Sequence, residues 1–344
     1  MDASPLRRAL TALANRQSLS ETQTAEVFGI VMNGEATPAQ IGGLLMGLRA
    51  KGETADELAG AARALRDAMV QVTAAHAHLV DTCGTGGGTV PTFNISTVAA
   101  FVAAGAGAVV PKHGNRSYTS RCGSADVLEA LGVRIVLDAA SASRVLNDAR
   151  VVFLFAPSFH PAMKHVGPVR RELGTPTLMN LVGPLANPAG VKRQVIGVSE
   201  SDRAAIVADA LVRLGAEHAL VVHGRVGMDE ISPHGVTDVW EVKDGAVRTW
   251  EIDPERFRLG ITDVAELQGG EPAANAERLE RILGNGSADS AGLSAVLLNA
   301  GAAIYVAGIA GSLAEGIGRA REVVASGAAR AALDRLRKAT ASIS

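Results

Sequence analysis

The stretch Leu79-Val80-Asp81-Thr82-Cys83-Gly84-Thr85-Gly86-Gly87-Gly88 decides the fold. Its apolar start fits a short buried strand, and the glycines behind it fit a turn where backbone must approach something closely. Asn94-Ile95-Ser96-Thr97 follows and leads into Val98-Ala99-Ala100-Phe101-Val102-Ala103-Ala104, a helix candidate. Strand, glycine loop and helix in that order gather backbone N–H groups and a helix N-terminus around one point, which suits a phosphate. The loop matches neither G-x-x-x-x-G-K-[ST] nor G-x-G-x-x-G. Glycine spacing alone leaves a bare turn and a phosphate cradle level. The polar side chains of Asn94, Ser96 and Thr97 favour the cradle.

Downstream, Val109 and Val110 predict a strand that ends in Lys112-His113-Gly114-Asn115-Arg116-Ser117. Further strands are predicted over Val133–Val136, Val151–Phe155, Gln194–Val198 and Ala219–Val222, with helical segments between most of them. Alternating β and α predicts an α/β fold with a mostly parallel sheet flanked by helices. Such sheets bind ligands at the carboxyl ends of their strands. The glycine loop and the Lys112 segment are therefore expected to share one cleft. Asp229-Glu230, within His223-Gly-Arg-Val-Gly-Met-Asp-Glu-Ile-Ser232, can hold Mg²⁺ if the pair faces that cleft, and is ordinary surface charge if not. Arg170, ahead of Asn180-Leu-Val-Gly-Pro-Leu-Ala-Asn-Pro188, can pair bidentately with a carboxylate, or close a helix-end salt bridge.

Upstream, the first 70 residues read as helices. Ser20-x-x-Gln23, Thr37-Pro38-x-Gln40 and Thr54-x-x-Glu57 are capping boxes, and Gly34 and Gly52 are stops. The expected division is a small all-helical domain over residues 1–72 and a large α/β domain over residues 73–344. The Pro- and Gly-rich run near residues 163–190 is expected to return to the helical domain.

With 47% apolar and 20% charged residues the chain is not a disordered one. Lys+Arg 33 against Asp+Glu 35 leaves a net charge of -2, which speaks against a nucleic-acid binder. Cys83 and Cys122 form no C-x-x-C motif, and His76-x-His78 has no matching third ligand for zinc. Ala295–Leu313 is apolar, yet it contains Asn299, Ser312 and three glycines, so a core helix is expected there and no membrane span. The expected compartment is the cytoplasm, with both thiols reduced.

Taken together, GTGG, TFNIST, KHGNRS, GSADVLEALG, FHPAMKHVGPVRRELG, NLVGPLANP, MDEIS and LNAGAAIYVAG, in this order, closely resemble the anthranilate phosphoribosyltransferase family. The resemblance implies the nucleoside-phosphorylase-like phosphoribosyltransferase fold, with the active site between its two domains. It implies anthranilate and phosphoribosyl pyrophosphate as substrates, Mg²⁺ as the cofactor, and a homodimer, with no nucleic-acid or membrane partner. For phosphoribosyl pyrophosphate it implies Gly84, Gly87, Gly88, Thr92 and the run Asn94, Ile95, Ser96 and Thr97. To these it adds Lys112, His113, Gly114, Asn115, Arg116, Ser117, Tyr118, Thr119 and Ser120, then Ser124. For anthranilate it implies Gly84, His113, Asn115, Arg170 and Pro184; for the metal, Ser96, Asp229 and Glu230. No general acid or base is assigned. Two departures stand out. Gly88 replaces the aspartate of the usual GTGGD, and Pro176 and Met179 stand where Arg and Phe are common. A pyrimidine nucleoside phosphorylase and a non-enzymatic nucleic-acid-binding relative share the architecture and are the competing readings.

Overall fold

The computed structural model describes residues 4–77, 79–117, 121–284 and 288–343. Four helices come first: α1 (Pro5–Ala14), α2 (Glu21–Met32), α3 (Pro38–Lys51) and α4 (Ala55–Asp67). The three capping boxes form as the sequence predicts, each with its Ser or Thr accepting from the N3 amide and its Gln or Glu reaching back. Glu57 does more than cap. Fully buried, it also accepts from Leu19 N at 2.9 Å and Lys51 Nζ at 3.0 Å, fixing α4 to the preceding turns.

The α/β part continues with α5 (Ile95–Gly105), β1 (Val110–Gly114), α6 (Ser124–Ala130), α7 (Ala139–Ala149), β2 (Val151–Phe155) and α8 (Ala156–Phe159). Next come α9 (Met163–Leu173), α10 (Leu178–Val182), β3 (Arg193–Gly197), α11 (Ser201–Arg213), β4 (His218–Gly224), β5 (Thr237–Lys243) and β6 (Ala246–Ile252). Helices α12 (Pro272–Gly284), α13 (Ser290–Val306), α14 (Leu313–Ala325) and α15 (Ala328–Ala341) close the chain.

Strands β1 and β2 pair in parallel, as do β3 and β4, while β5 and β6 add on antiparallel. Residues 79–81 join the two groups through parallel bridges Leu79–Val109 and Asp81–Gln194. The order is thus β2, β1, residues 79–81, β3, β4, β5, β6. Alternate side chains of β4 enter different cores. Leu220 and Val222 join the cluster under α5 and α13, and Ala219 and Val221 join the cluster shared with α1–α4. Helices α9 and α10 belong to that second cluster through Val166, Val169, Leu178 and Val182. Arg203 of α11 pairs with Glu53 ahead of α4, and Arg213 with Asp56 at 2.5 Å.

One sequence expectation needs correction. Val133–Val136 forms no strand. Val133 and Ile135 are buried in alternation, but no strand lies beside them, and Arg134 N donates to Thr340 Oγ1 on α15 instead. The β5–β6 hairpin was not expected from the sequence. Its turn is Asp244-Gly245 with φ of 52° and 74°, the Asp-Gly hairpin signal. The apolar segment near residue 300 is α13, buried on every side and packed on α14 where Gly301 meets Ile317 and Gly316. Among the described residues no helix is long and apolar enough to cross a membrane.

Candidate active site

Three carboxyl ends of parallel strands meet: residues 79–81, β1 and β3. The glycine loop leaves the first and lies against the third. Thr85 N donates to Gly197 O at 2.8 Å, and Thr89 N donates to Gly227 O at 2.9 Å. Gly86 and Gly87 have φ of 70° and 85°, which L side chains rarely adopt. Gly197 itself leaves no room for a Cβ, because the Asp229 carbonyl fills that space. The loop therefore spans β3 and the turn that carries Asp229 and Glu230.

Glu230 Oε1 accepts from Ser96 N at 3.2 Å, so the first turn of α5 caps this carboxylate. Lys112 Nζ, 4% exposed, donates to Ser96 Oγ at 3.3 Å, Thr82 Oγ1 at 3.3 Å and Thr82 O at 3.2 Å. Asp229 and Glu230 are both half-buried. Burial, then the Asp229 charge, push Glu230 up to about 8, with Lys112 opposing. Burial also raises Asp229, opposed by the backbone groups of Asp229 itself, Gly86 and Gly88. Two carboxylates and a hydroxyl suit Mg²⁺, which takes oxygen ligands and keeps places for water and substrate phosphates. Among the described residues no group of three or more His, Cys, Asp or Glu side chains is placed to hold a metal.

The other wall carries the histidines. His113 Nε2 lies 3.2 Å from His160 Nε2, with ring centroids 5.0 Å apart, and both residues are 4% exposed. Among the described residues neither Nδ1 has a hydrogen-bond partner; the Gly183 backbone lies beside His113 and the Ala186 backbone beside His160. Burial and then His160 push His113 down to about 3, and burial pushes His160 down to about 4. An unfolded histidine binds its proton near pH 6.5. Below that the unfolded chain holds protons that the folded pair refuses, so this stabilisation is full above pH 6.5 and is lost as pH falls toward 4. His160→Gln is expected to flatten the Tm decline between pH 6.5 and 4. Thermal denaturation across that range reads it, and parallel curves for variant and parent would remove the pair as its source.

Other residues singled out in the sequence are distributed as follows. Arg170 Nη2 donates to Asn180 Oδ1 at 3.4 Å, which ties α9 to α10. Ser124 Oγ donates to Asn115 O at 3.2 Å. Arg116 turns its guanidinium to Asp126 and Glu129 on α6, at 2.7 and 2.6 Å, and not into the cleft. Asn94 Oδ1 accepts from Asn275 Nδ2 at 3.0 Å and its Nδ2 donates to Cys122 O at 3.1 Å, joining α5 to α12. The Ile95 side chain is in the core, and Thr97 Oγ1 is buried with no hydrogen-bond partner among the described residues. Thr92 is half-buried. Tyr118, Thr119, Ser120 and His78 lie outside the described residues.

Sequence reasoning missed Asp81, Asn187, His160, Gly197 and Asn299. Asp81 is fully buried and accepts from Thr82 N at 2.8 Å, His113 N at 3.2 Å and Asn187 Nδ2 at 2.7 Å. It thereby ties the glycine loop to β1 and to the segment after α10. Burial raises it to about 6, opposed first by Lys112. A charged residue inside an apolar strand was the available signal.

The architecture is a helical bundle on an α/β sheet, with a glycine loop lying against the turn that carries the two carboxylates. The glycosyl transferase family's helical bundle domain matches residues 7–69, and its a/b domain matches residues 76–330. An anthranilate phosphoribosyltransferase of Laribacter hongkongensis is 48% identical over 331 residues, 96% of each chain. One from Rubrobacter xylanophilus is 49% identical over 330 residues, again 96% of each. The crystal structure from Thermus thermophilus superposes with a TM-score of 0.92 at 42% identity, covering 97% of this chain and 99% of that one. The Saccharomyces cerevisiae structure in complex with PRPP and Mg gives 0.90 at 28% identity, covering 99% of both. The chain belongs to the anthranilate phosphoribosyltransferase family.

Proposed function

We propose that this enzyme transfers the phosphoribosyl group of phosphoribosyl pyrophosphate to the amine of anthranilate, releasing pyrophosphate, in tryptophan biosynthesis. The observation that carries the reading is the meeting of Ser96, Lys112 and Glu230 at the strand ends, in a chain 48% identical to such an enzyme over 96% of its length. The yeast relatives are described in complex with PRPP and Mg, and with 4-fluoroanthranilate.

The glycine loop would bring backbone N–H groups to the donor's phosphates, while on the first turn of α5 the Ser96 N–H is taken by Glu230. Mg²⁺ bound through Ser96, Asp229 and Glu230 would supply charge neutralisation for the pyrophosphate as it leaves. As the C1–O bond lengthens the ribose becomes oxocarbenium-like, and the aryl amine attacks from the opposite face. That amine has its own lone pair, so the protein's work is positioning more than proton removal. His113 and Pro184 would flank the acceptor, with Arg170 facing its carboxylate. Assembly as a homodimer and a cytoplasmic setting belong to the same reading.

Following the fluorescent product while omitting anthranilate, phosphoribosyl pyrophosphate or Mg²⁺ in turn tests the reaction. Turnover that survives the omission of any one of them would overturn it. Arg170→Ala is expected to raise the anthranilate KM about 10- to 100-fold, as loss of a charged hydrogen bond does, and to leave the donor KM unchanged. Initial rates against each substrate separate the two, and an unmoved anthranilate KM would take Arg170 off the acceptor.

A further inference from the structure

Asn299 lies on α13 at 2% exposure, a lone amide in a helix otherwise lined by apolar and small residues. Its Oδ1 accepts from Ile231 N at 3.0 Å, and its Nδ2 donates to Ile231 O at 2.9 Å and Ala295 O at 2.9 Å. Ile231 is fully buried and directly follows Glu230. The amide side chain therefore acts as a neighbouring strand would, taking both backbone groups of one residue. Before the pair, Gly224 N donates to Met228 O at 2.9 Å; after it, Ser232 N donates to Thr237 Oγ1 at 2.9 Å. Between those two ties the backbone of the carboxylate-bearing turn is held from behind by Asn299. A buried amide without such partners would destabilise α13.

We propose that Asn299 is the positioning residue of the Asp229–Glu230 pair, setting where the two carboxylates face through its grip on Ile231 and touching neither substrate. This rests on the reading of Asp229 and Glu230 as metal-holding residues. Groups that orient metal ligands from behind typically contribute 10- to 100-fold in metal affinity.

The test is Mn²⁺ binding to the full chain with pyrophosphate present, read from the free-Mn²⁺ EPR signal, beside Tm in metal-free buffer. Asn299→Leu keeps the branched shape of the side chain and removes the grip; it is expected to weaken Mn²⁺ binding about 10- to 100-fold and raise the KM for Mg²⁺ alike. Its kcat at saturating Mg²⁺ should stay within about 3-fold of the parent. Asn299→Ser should do the same if the leucine variant does not fold, since its hydroxyl can bond back to Ala295 O but leaves Ile231 unpaired. Leu297→Ala, which removes packing from the same helix at a residue 1% exposed, should lower Tm and leave Mn²⁺ affinity unchanged. Parental Mn²⁺ affinity in the Asn299 variants, or an equal loss in Leu297→Ala, would overturn the proposal. The double variant Asp229→Asn, Glu230→Gln separates the two readings. If it loses Mn²⁺ while the Asn299 variants do not, positioning alone fails; if it binds Mn²⁺ like the parent, the metal reading fails first.

Discussion

Replacing Lys112 with methionine is expected to lower kcat on the order of 10²- to 10³-fold, the usual cost of removing one preorganised charge from a reacting centre. Methionine keeps most of the volume, so the packing change is small. The electrostatic change is not. Lys112 orients Ser96 Oγ and Thr82 through three hydrogen bonds, and its charge opposes the rise of both Asp81 and Glu230. A second readout follows from Asp81, which burial raises to about 6. A carboxylate with a raised folded-state pKa contributes fully below its unfolded value, near 3.9, and loses that contribution as pH rises through the folded value. Without Lys112 the folded value climbs further, so the loss is larger and extends to higher pH. The variant's Tm deficit should therefore widen between pH 5 and 8. Steady-state rates and Tm across that range check both expectations. A folded variant with parental kcat would remove Lys112 from the machinery, and a pH-independent Tm deficit would uncouple it from Asp81.

Much of this site was legible because its chemistry is local in sequence. The glycine loop follows residues 79–81 and the Lys112 segment begins inside β1 and runs past its end, so the rule that ligands gather at carboxyl strand ends was enough to place them together. The three capping boxes were legible for the same reason, since each is a contact between residues three apart. What escaped depends on partners distant in the chain. Asn299 and Ile231 are 68 residues apart, and Asn187 and Asp81 are 106 apart, so neither motif marks its own meaning. Val133–Val136 has strand-like alternation but finds a helix instead of a strand beside it. Arg116 sits in the most suggestive hexapeptide of the chain, yet two carboxylates on the next helix claim its guanidinium. Residue type and spacing identify groups capable of chemistry; packing decides which of them face the cleft.

Gly88→Asp should produce the largest change in metal dependence, because position 88 packs against Asp229. A Cβ built there falls 2.6 Å from Asp229 Oδ1, 3.1 Å from Gly227 O and 3.2 Å from Asp229 N. Any side chain must move either the glycine loop or the Asp229 carboxylate. An aspartate adds a like charge beside an acid that burial already raises. Two like charges about 4 Å apart at an effective dielectric near 20 repel by about 4 kcal/mol before relaxation, and a carboxylate at position 88 would repel the phosphates of an anionic donor by the same rule. The same carboxylate adds an oxygen for a divalent cation, so the free enzyme should bind Mg²⁺ more tightly. The expected result is a donor KM raised about 10-fold or more, with the Mg²⁺ optimum moved to lower concentration. Gly88→Asn isolates shape from charge. If it reproduces the aspartate variant, crowding of Asp229 is responsible; if it stays near the parent, the added charge is. Donor affinity and Mg²⁺ titrations unchanged in both variants would mean that the loop yields freely at position 88. The glycine there would then be a neutral departure from the family pattern, and the close approach of Gly88 to Asp229 would have no bearing on donor binding.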